Sequence, residues 1–383
     1  DCLLSRGLGD VYKRQFFEGA AGFGTPVAVT AAILIGLGFS PLAASGLSLI
    51  ANTAPVAFGA LGTPVITLAK VHGYDLMEVT AMVGRQLPFF SVLVPFWMIW
   101  AFAGRKGMME IWPAILVTGL AFAIPQYLVS NFIGPELVDI IAAILSMAAL
   151  IAFLRYWQPR KVWTSTSLRG GKDTSVSPNP VVAPVSHSRE AIIRAWTPWA
   201  ILTVFVFIWG LPPVKAFLNG LFAPAFPIPG LHNLILKVPP VVPTPHPEAA
   251  IYTLNLLSAT GTGILAAAIV GGLVMRYNIV GLLSTFARTV WLVRFSLLTI
   301  VLMLALGTLT RYSGTDTTLG LAFANTGMFY PFFGTLMGWL GVALTGSDTA
   351  SNVLFGGMQK VAADQLGLSP NLMGAANSSG GVM

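Results

Sequence analysis

The chain has 383 residues, of which 55% are hydrophobic and only 9% are charged, and its formal net charge is +7. A chain with this little charge cannot cover the surface of a water-soluble globule of this size. The composition therefore excludes a soluble globular protein and predicts a polytopic membrane protein. The excess of Lys and Arg does not indicate nucleic acid as a partner, because these residues lie between the apolar runs and form no interleaved basic and aromatic patch.

The first fifteen residues, 1–15, are polar and basic and lead directly into an apolar motif, with no initiator Met and no signal-peptide pattern. We interpret them as a non-native scar outside the fold. Cys2 is the only cysteine of the chain, which excludes a disulfide framework and a cysteine-based metal site. The chain also stops abruptly at Met383, inside a glycine-rich element, and we expect a fragment that lacks helices at both ends.

A motif with one carboxylate and several small residues occurs twice, near the two ends of the chain. Glu18 lies among glycines in 16–26, and Asp348 lies among small polar residues in 346–352. Each motif is followed by a Gly-x-Ser-Pro sequence and then by a break that contains Asn. Two Gly/Pro-interrupted segments at corresponding positions indicate a transporter's binding site. The pattern predicts an inverted-repeat secondary transporter with broken or re-entrant Gly-rich helices.

Several apolar runs are long enough to cross about 30 Å of hydrocarbon as helices. They are continuous, whereas membrane strands would alternate between apolar and polar residues, so the predicted fold class is all-α. The runs lie at 88–103, 112–128, 137–154, 196–212, 258–275, 290–309 and 329–344.

A basic segment rich in Ser, Pro and Gly, 155–195, separates the two predicted transmembrane halves, 16–154 and 196–383. Its positive charge predicts a cytoplasmic linker. Alternation along the chain then places the Arg105-Lys106 turn inside, and the 131–136 turn and the Pro-rich 213–257 segment outside.

Six motifs together resemble the bacterial lactate permease family, over residues 16–383. They are Glu18-Gly-Ala-Ala-Gly-Phe-Gly, Asn52-Thr-Ala-Pro-Val-Ala-Phe-Gly, Val83-Gly-Arg-Gln-Leu-Pro, Ser130-Asn-Phe-Ile-Gly-Pro-Glu-Leu, Ser258-Ala-Thr-Gly-Thr and Leu344-Thr-Gly-Ser-Asp-Thr-Ala-Ser-Asn. The resemblance implies a transporter, not an enzyme, with no cofactor. It implies import of lactate and related 2-hydroxy monocarboxylates such as glycolate, with protons, across the bacterial inner membrane.

The residues are compatible with that task. Helix N-termini exposed at glycine breaks attract a small carboxylate without a permanent tight ion pair, which would prevent release. The predicted substrate-binding residues are Gly22, Gly24, Asn52, Thr53, Arg85, Ser347, Asn352, Asn377 and Ser378. Glu18 and Asp348 are the predicted proton-coupling residues, because an acid at membrane depth is costly and is expected to be functional.

Each assignment has an alternative. The glycine motifs could be helix-packing faces, and the two acids could cap half-helices. Arg85 and Arg311 could lie at the lipid headgroups, His72 could be interfacial instead of a proton relay, and Asp316 could cap a turn. The alternative functions are a sodium-coupled carboxylate transporter, a passive anion channel and, more remotely, an integral membrane enzyme.

Overall fold

The computed structural model describes residues 41–158, 189–242 and 244–382, together with residues 31, 34 and 35. Glu18, Gly22 and Gly24 lie outside the described residues. In the described ranges the large elements are helices, and the only strands are four short ones in one loop. The helices are α1 (Pro41–Asn52), α2 (Gly59–His72), α3 (Leu76–Phe132), α4 (Val138–Tyr156), α5 (Arg189–Gly210), α6 (Pro212–Leu221), α7 (Thr260–Val274), α8 (Ile279–Ser313), α9 (Thr315–Ala324), α10 (Tyr330–Thr345), α11 (Asp348–Leu366) and α12 (Pro370–Gly380).

α3 is a helical hairpin. A straight helix of 57 residues would be about 85 Å long, far more than a bilayer is thick. The chain reverses at Gly104, whose φ of 70° and ψ of 177° only glycine adopts readily. The two arms then pack face to face, since Ser91 Oγ donates to Gln126 Oε1 over 2.6 Å. The two helices predicted on either side of Arg105-Lys106 are therefore confirmed.

The first arm of α3 begins earlier than the sequence analysis predicts. The predicted run starts at residue 88, but the helix starts at Leu76, because the Asp75 side chain caps it by accepting from the Glu78 N–H over 2.8 Å. Pro88 lies inside this helix and does not start it. α4 returns along the hairpin, and buried residues of α2, α3 and α4 form the largest hydrophobic core.

α2 is a broken helix. Ala60, Leu61 and Gly62 have φ values of 47°, 60° and 75°, so the regular helical part begins after them, near Thr63 and Pro64. Two consecutive non-glycine residues in the left-handed region store strain, at roughly 1–3 kcal/mol each. Helix α2 ends at Gly73, which has a φ of 68°. The half-length element predicted to run from Thr63-Pro64 to His72 therefore exists.

The second half contains one long helix and one tight group of three. α8 has 35 residues, about 52 Å, and extends beyond the predicted 290–309 run at both ends. Its only buried residue is Gly307, which faces Val353 of α11. In contrast, α10, α11 and α12 pack closely against one another and against α2 and α3.

The segment between α6 and α7 carries two small antiparallel sheets. Strand β1 (Ala225–Pro227) pairs with β4 (Ile251–Thr253), and β2 (Leu236–Lys237) pairs with β3 (His246–Pro247). Lys215 of α6, within the 213–257 segment, forms an ion pair with Glu136, in the turn after α3. The two segments predicted to lie outside are thus at the same end of the bundle.

Four helices of the described residues are long and apolar enough to cross a membrane, or up to six if each bent pair counts as one span. Together with the helical bundle, this confirms the predicted all-α polytopic membrane fold.

Candidate functional site

Glycines let α10 approach α12 closely. A Cβ on Gly338 would lie 2.1 Å from the Asn377 backbone oxygen, and one on Gly334 would lie 2.6 Å from the Met373 methyl group. Residues four apart on α10 therefore meet residues four apart on α12, as expected for small-residue packing in membranes. This contact brings Asn377 into the middle of the three-helix group.

A chain of buried polar side chains runs between these helices. Tyr330 Oη donates to Gln359 Oε1 over 2.6 Å, and Gln359 Nε2 donates to Asn377 Oδ1 over 3.1 Å. Asn377 Nδ2 in turn donates to Asn352 Oδ1 over 2.9 Å. All four side chains are completely buried. Each side chain donates to the next one in this order, and Asp348 lies beside the last acceptor, Asn352.

Asp348 ends this chain at the start of α11. Its Oδ2 accepts from Ser378 Oγ over 2.8 Å and from Asn352 Nδ2 over 3.5 Å. Its side chain is buried, with the residue 3% exposed, yet its Oδ1 has no hydrogen-bond partner and the acid forms no ion pair in the part of the chain that the structure describes. A Cβ on Gly381 would lie 2.3 Å from Oδ1, so only glycine fits beside this free oxygen.

The broken helix α2 contributes backbone to the same place. Asn352 Nδ2 also donates to the Pro64 carbonyl over 3.3 Å, immediately after the left-handed turn of α2. The Gly62 position is equally tight, because a Cβ there would lie 2.6 Å from Pro135 Cβ. The irregular backbone of α2 thus lies buried against protein, as non-helical backbone at membrane depth must.

The structure brings four of the predicted site residues into direct contact, Asp348, Asn352, Asn377 and Ser378. Ser347 is adjacent and caps α11, since its side chain accepts from the Ala350 N–H over 3.3 Å. The N-terminus of α11 is therefore formed at the acid itself.

Three other predicted residues lie elsewhere. Asn52 and Thr53 form the turn after α1, where the Ala54 carbonyl accepts from Gln126 Nε2 over 3.3 Å, and Asn52 Oδ1 is buried without a hydrogen-bond partner. Arg85 is exposed on α3, and its Nε donates to Asn131 Oδ1 over 3.1 Å. Among the described residues, none of these three side chains forms a hydrogen bond or an ion pair with Asp348.

Sequence reasoning missed Gln359 and Tyr330. Both are completely buried, and Gln359 also donates to the Gly334 carbonyl over 2.7 Å. The available signal was a Gln among small and apolar residues of 348–366, a position that is costly to bury unless it is hydrogen-bonded.

A second polar cluster lies at the other end of α2. His72 and Asp316 are each 5% exposed, with His72 Nδ1 3.7 Å from Asp316 Oδ2. His72 Nε2 is 2.9 Å from the Val353 carbonyl oxygen, and a Cβ on Gly357 would lie 2.1 Å from Asp316 Oδ2. His72 is therefore enclosed by protein beside an acid, and the two alternatives of an interfacial residue and a proton relay stay predictions.

Arg311 covers this cluster with its guanidinium group. Its guanidinium donates to the Val71 carbonyl and to Glu248 of the loop, which also pairs with Lys237 over 2.8 Å. Burial alone would raise the pKa of Glu248, but hydrogen bonds from Lys237 and Arg311, and their charges, outweigh it and hold the pKa below its ordinary value. Glu248 therefore stays ionised at neutral pH.

The described residues contain no group of three or more His, Cys, Asp or Glu side chains that could hold a metal ion. The buried site offers amide and hydroxyl groups and one carboxylate.

Comparison with known proteins agrees with a membrane carrier. The family model for L-lactate permease matches residues 12–383, so the match includes the last residues of the segment predicted to be non-native. The chain is 48% identical to the glycolate permease GlcA of Escherichia coli K12, over 95% of this chain and 67% of the relative. It is 46% identical to an L-lactate permease of Salmonella typhimurium and 43% identical to one of Bacillus subtilis, in each case over 96% of this chain and 67% of the relative.

No solved structure is significantly similar to this fold. The relatives are named permeases, which are transporters and not enzymes. The match over nearly all of the sequence, with a helical bundle built around buried polar side chains, shows that this chain is a membrane transporter that belongs to the L-lactate permease family.

Proposed function

We propose that the protein imports lactate and related 2-hydroxy monocarboxylates such as glycolate, with protons, across the bacterial inner membrane. The names of its relatives support the substrate class. The observation that carries the coupling is Asp348, a buried carboxylate with one free oxygen and no ion-pair partner among the described residues.

Proton coupling follows from the cost of charge in this place. A carboxylate that is buried without a cation is expensive in its ionised form. A substrate carboxylate nearby repels it and increases that cost, whereas a proton on the acid removes both penalties. Proton and substrate therefore strengthen each other's binding by the same factor, which is symport by linkage.

The polar side chains around Asp348 suit a 2-hydroxy acid. Asn352, Asn377 and Ser378 offer amide and hydroxyl groups that form hydrogen bonds with a hydroxyl or a carboxylate. The N-termini of α11 and of the regular part of α2 add positive potential without a fixed charge. Gly22, Gly24 and Ser347, with Glu18 as the second acid, complete the proposed site.

The proposed inverted repeat has one structural support. The proline of each Gly-x-Ser-Pro sequence begins a short helix, α1 at Pro41 and α12 at Pro370. These helices are similar in length and both pack against α3. We propose that the first copy, with Glu18, faces Asp348 across the site with the opposite orientation.

Uptake of labelled lactate and glycolate into vesicles tests this function, with proton and sodium gradients imposed in turn. Accumulation above the external concentration that depends on the proton gradient is the expected result. Accumulation with sodium alone would indicate the sodium-coupled alternative, and uptake that only equilibrates the two sides would indicate a passive channel. Absence of saturable lactate and glycolate uptake would refute the proposed substrate class.

A further inference from the structure

We infer that Arg311 is the first binding site for the carboxylate of the substrate on the outer side, and that Glu248 of the loop occupies this site until a substrate displaces it. The inference rests on the proposed function, because the ligand is the proposed class of small monocarboxylate. It assigns a role to a basic cluster that lies apart from the Asp348 network.

Arg311 already binds a carboxylate in the way it would bind a substrate. Its Nε and Nη2 both donate to Glu248 Oε1, over 3.1 and 2.5 Å, while its Nη1 is held by the Val71 carbonyl. A guanidinium anchored on one side presents its remaining donors in a fixed direction, and this geometry suits carboxylates. The acid in this position belongs to the loop and not to the helical bundle.

The cations around this position outnumber the carboxylates once Glu248 has left, and this excess favours another anion. Lys237 binds the other oxygen of Glu248 over 2.8 Å, and Lys360 donates to the Gly73 carbonyl over 2.8 Å. A Cβ on Gly73 would lie 3.9 Å from both Arg311 Nη2 and Lys360 Nζ, so the two cations flank the end of α2. The other ionisable groups here are His72 and Asp316, which are buried together, and Asp364 on α11.

Glu248 lies in a loop that has few hydrogen bonds to the helices. Glu248 is the only carboxylate between residues 213 and 257. The loop holds itself together with strands of only two or three residues, which are marginally stable alone. Beside the ion pair, three of its carbonyls accept hydrogen bonds from helix side chains: Ala249 from Tyr312, Pro240 from Gln365, and Leu257 from Trp209. Displacement of Glu248 therefore breaks few contacts.

α2 connects this position to the buried acid. Val71 near its end contacts Arg311, and Pro64 near its start contacts Asn352. Seven residues of helix separate the two contacts by about 10 Å. Arg311 and the Asp348 network thus lie about two helical turns apart along α2.

A double-mutant cycle on external KM tests the inference, with initial lactate uptake measured for Glu248→Gln, Arg311→Gln and the double variant. Charge-assisted bonds are stronger than neutral ones, so Glu248→Gln weakens the internal competitor and is expected to lower KM about threefold to tenfold. Arg311→Gln is expected to raise KM at least about tenfold. In the Arg311→Gln background, Glu248→Gln is expected to leave KM unchanged, because the contested site is gone.

Glu136→Gln is the matched control, since Glu136 is also a buried carboxylate paired with a lysine at the same end of the bundle and its ion-pair partner is Lys215 instead of Arg311. Its KM should match that of the unmodified protein. If Arg311→Gln does not reach the membrane, Arg311→Lys replaces it in the cycle. Lysine keeps the positive charge but lacks the two parallel N–H donors of the guanidinium.

An unchanged or raised KM in Glu248→Gln would overturn the inference. An equal decrease in both backgrounds would do so as well, because it would show that loosening of the loop, and not competition for Arg311, controls access. Both outcomes require saturable lactate uptake by the unmodified protein, so they are distinct from failure of the proposed function, in which that uptake is absent.

Discussion

α11 passes through two polar regions that handle charge in opposite ways. Near its start, Asp348 is surrounded by uncharged amide and hydroxyl groups and is fully enclosed. Near its end, Lys360 lies in an ionic cluster with Arg311, Lys237 and Glu248, in which the two partners of the buried Glu248 are partly exposed. Water and counter-charges stabilise the ions of the outer cluster, whereas Asp348 has no ion-pair partner among the described residues. In the proposed function, the outer cluster attracts the anion and Asp348 couples its transport to a proton.

The largest effect is expected from Asp348→Asn, which imitates a permanently protonated acid. The variant should still exchange labelled lactate across the membrane but should lose proton-driven accumulation. Counterflow and gradient-driven uptake, measured in the same vesicles, separate the two activities. Glu18→Gln should behave in the same way if Glu18, the acid of the first carboxylate motif, carries the coupling proton. Intact, pH-dependent accumulation in both variants would place the proton elsewhere, with the buried pair His72 and Asp316 next.

The close packing that encloses Asp348 should be sensitive to one methyl group. Gly338→Ala forces a Cβ against the Asn377 backbone and is expected to cost about 1–3 kcal/mol of stability. The thermal midpoint of the purified protein in detergent measures this. Gly261→Ala is the matched control, because nothing lies within 4 Å of the added Cβ, and its midpoint should not fall. Equal midpoints for the two variants would contradict the packing described for α10 and α12.

The hydrogen-bonded chain of buried side chains from Tyr330 to Asn352 should depend on Gln359 for its stability. Gln359→Leu leaves buried groups on Tyr330, Asn377 and Gly334 without their partner, at a cost of about 1–3 kcal/mol. The same change at Gln86, which makes only one long contact of 3.5 Å, should cost much less. Thermal midpoints of the two variants compare the costs directly. A similar loss in both would show that the buried chain contributes no more than a surface contact.

The outer cluster should show a pH dependence of moderate size. The pKa of Glu248 is lower in the folded protein, so its contribution to stability is present above the ordinary carboxyl pKa, about 4.3, and is lost as pH falls through the folded value. The thermal midpoint of the unmodified protein should exceed that of Glu248→Gln at pH 5 to 7, and the difference should disappear in stronger acid. A difference that grows as pH falls would reverse the sign of this argument.

The smallest effect is expected at Arg85, which is exposed and bound to Asn131. If it attracts the substrate from a distance, Arg85→Gln should raise KM about twofold and reduce the dependence of KM on salt. Arg105→Gln, predicted to lie on the opposite side of the membrane, is the control. No change in affinity or in salt dependence would favour the interfacial interpretation of Arg85.

Local patterns in the sequence were sufficient for the helices and their breaks. Long apolar runs predicted the spans, and the Asn52 to Pro55 and Gly73 breaks appear where Gly, Asn and Pro interrupt them. The misplaced boundaries have a local cause. The polar first turns of α3 lowered the hydropathy around Asp75 and Glu78, although the Asp75 cap starts the helix there.

Which polar residues share a site was only partly visible in the sequence. Asp348 and Ser378 stood out because each is a polar residue among small residues in an apolar chain, which is unusual. The pairing of His72 with Asp316 and the docking of Glu248 on Arg311 join positions far apart in the chain. Hydropathy depends on neighbours along the chain, so it indicates that the chain spans a membrane, where its helices lie and where they are interrupted. Burial and ion pairing depend on which helix faces which, and only the close packing of α2, α8 and α10 to α12 decides that.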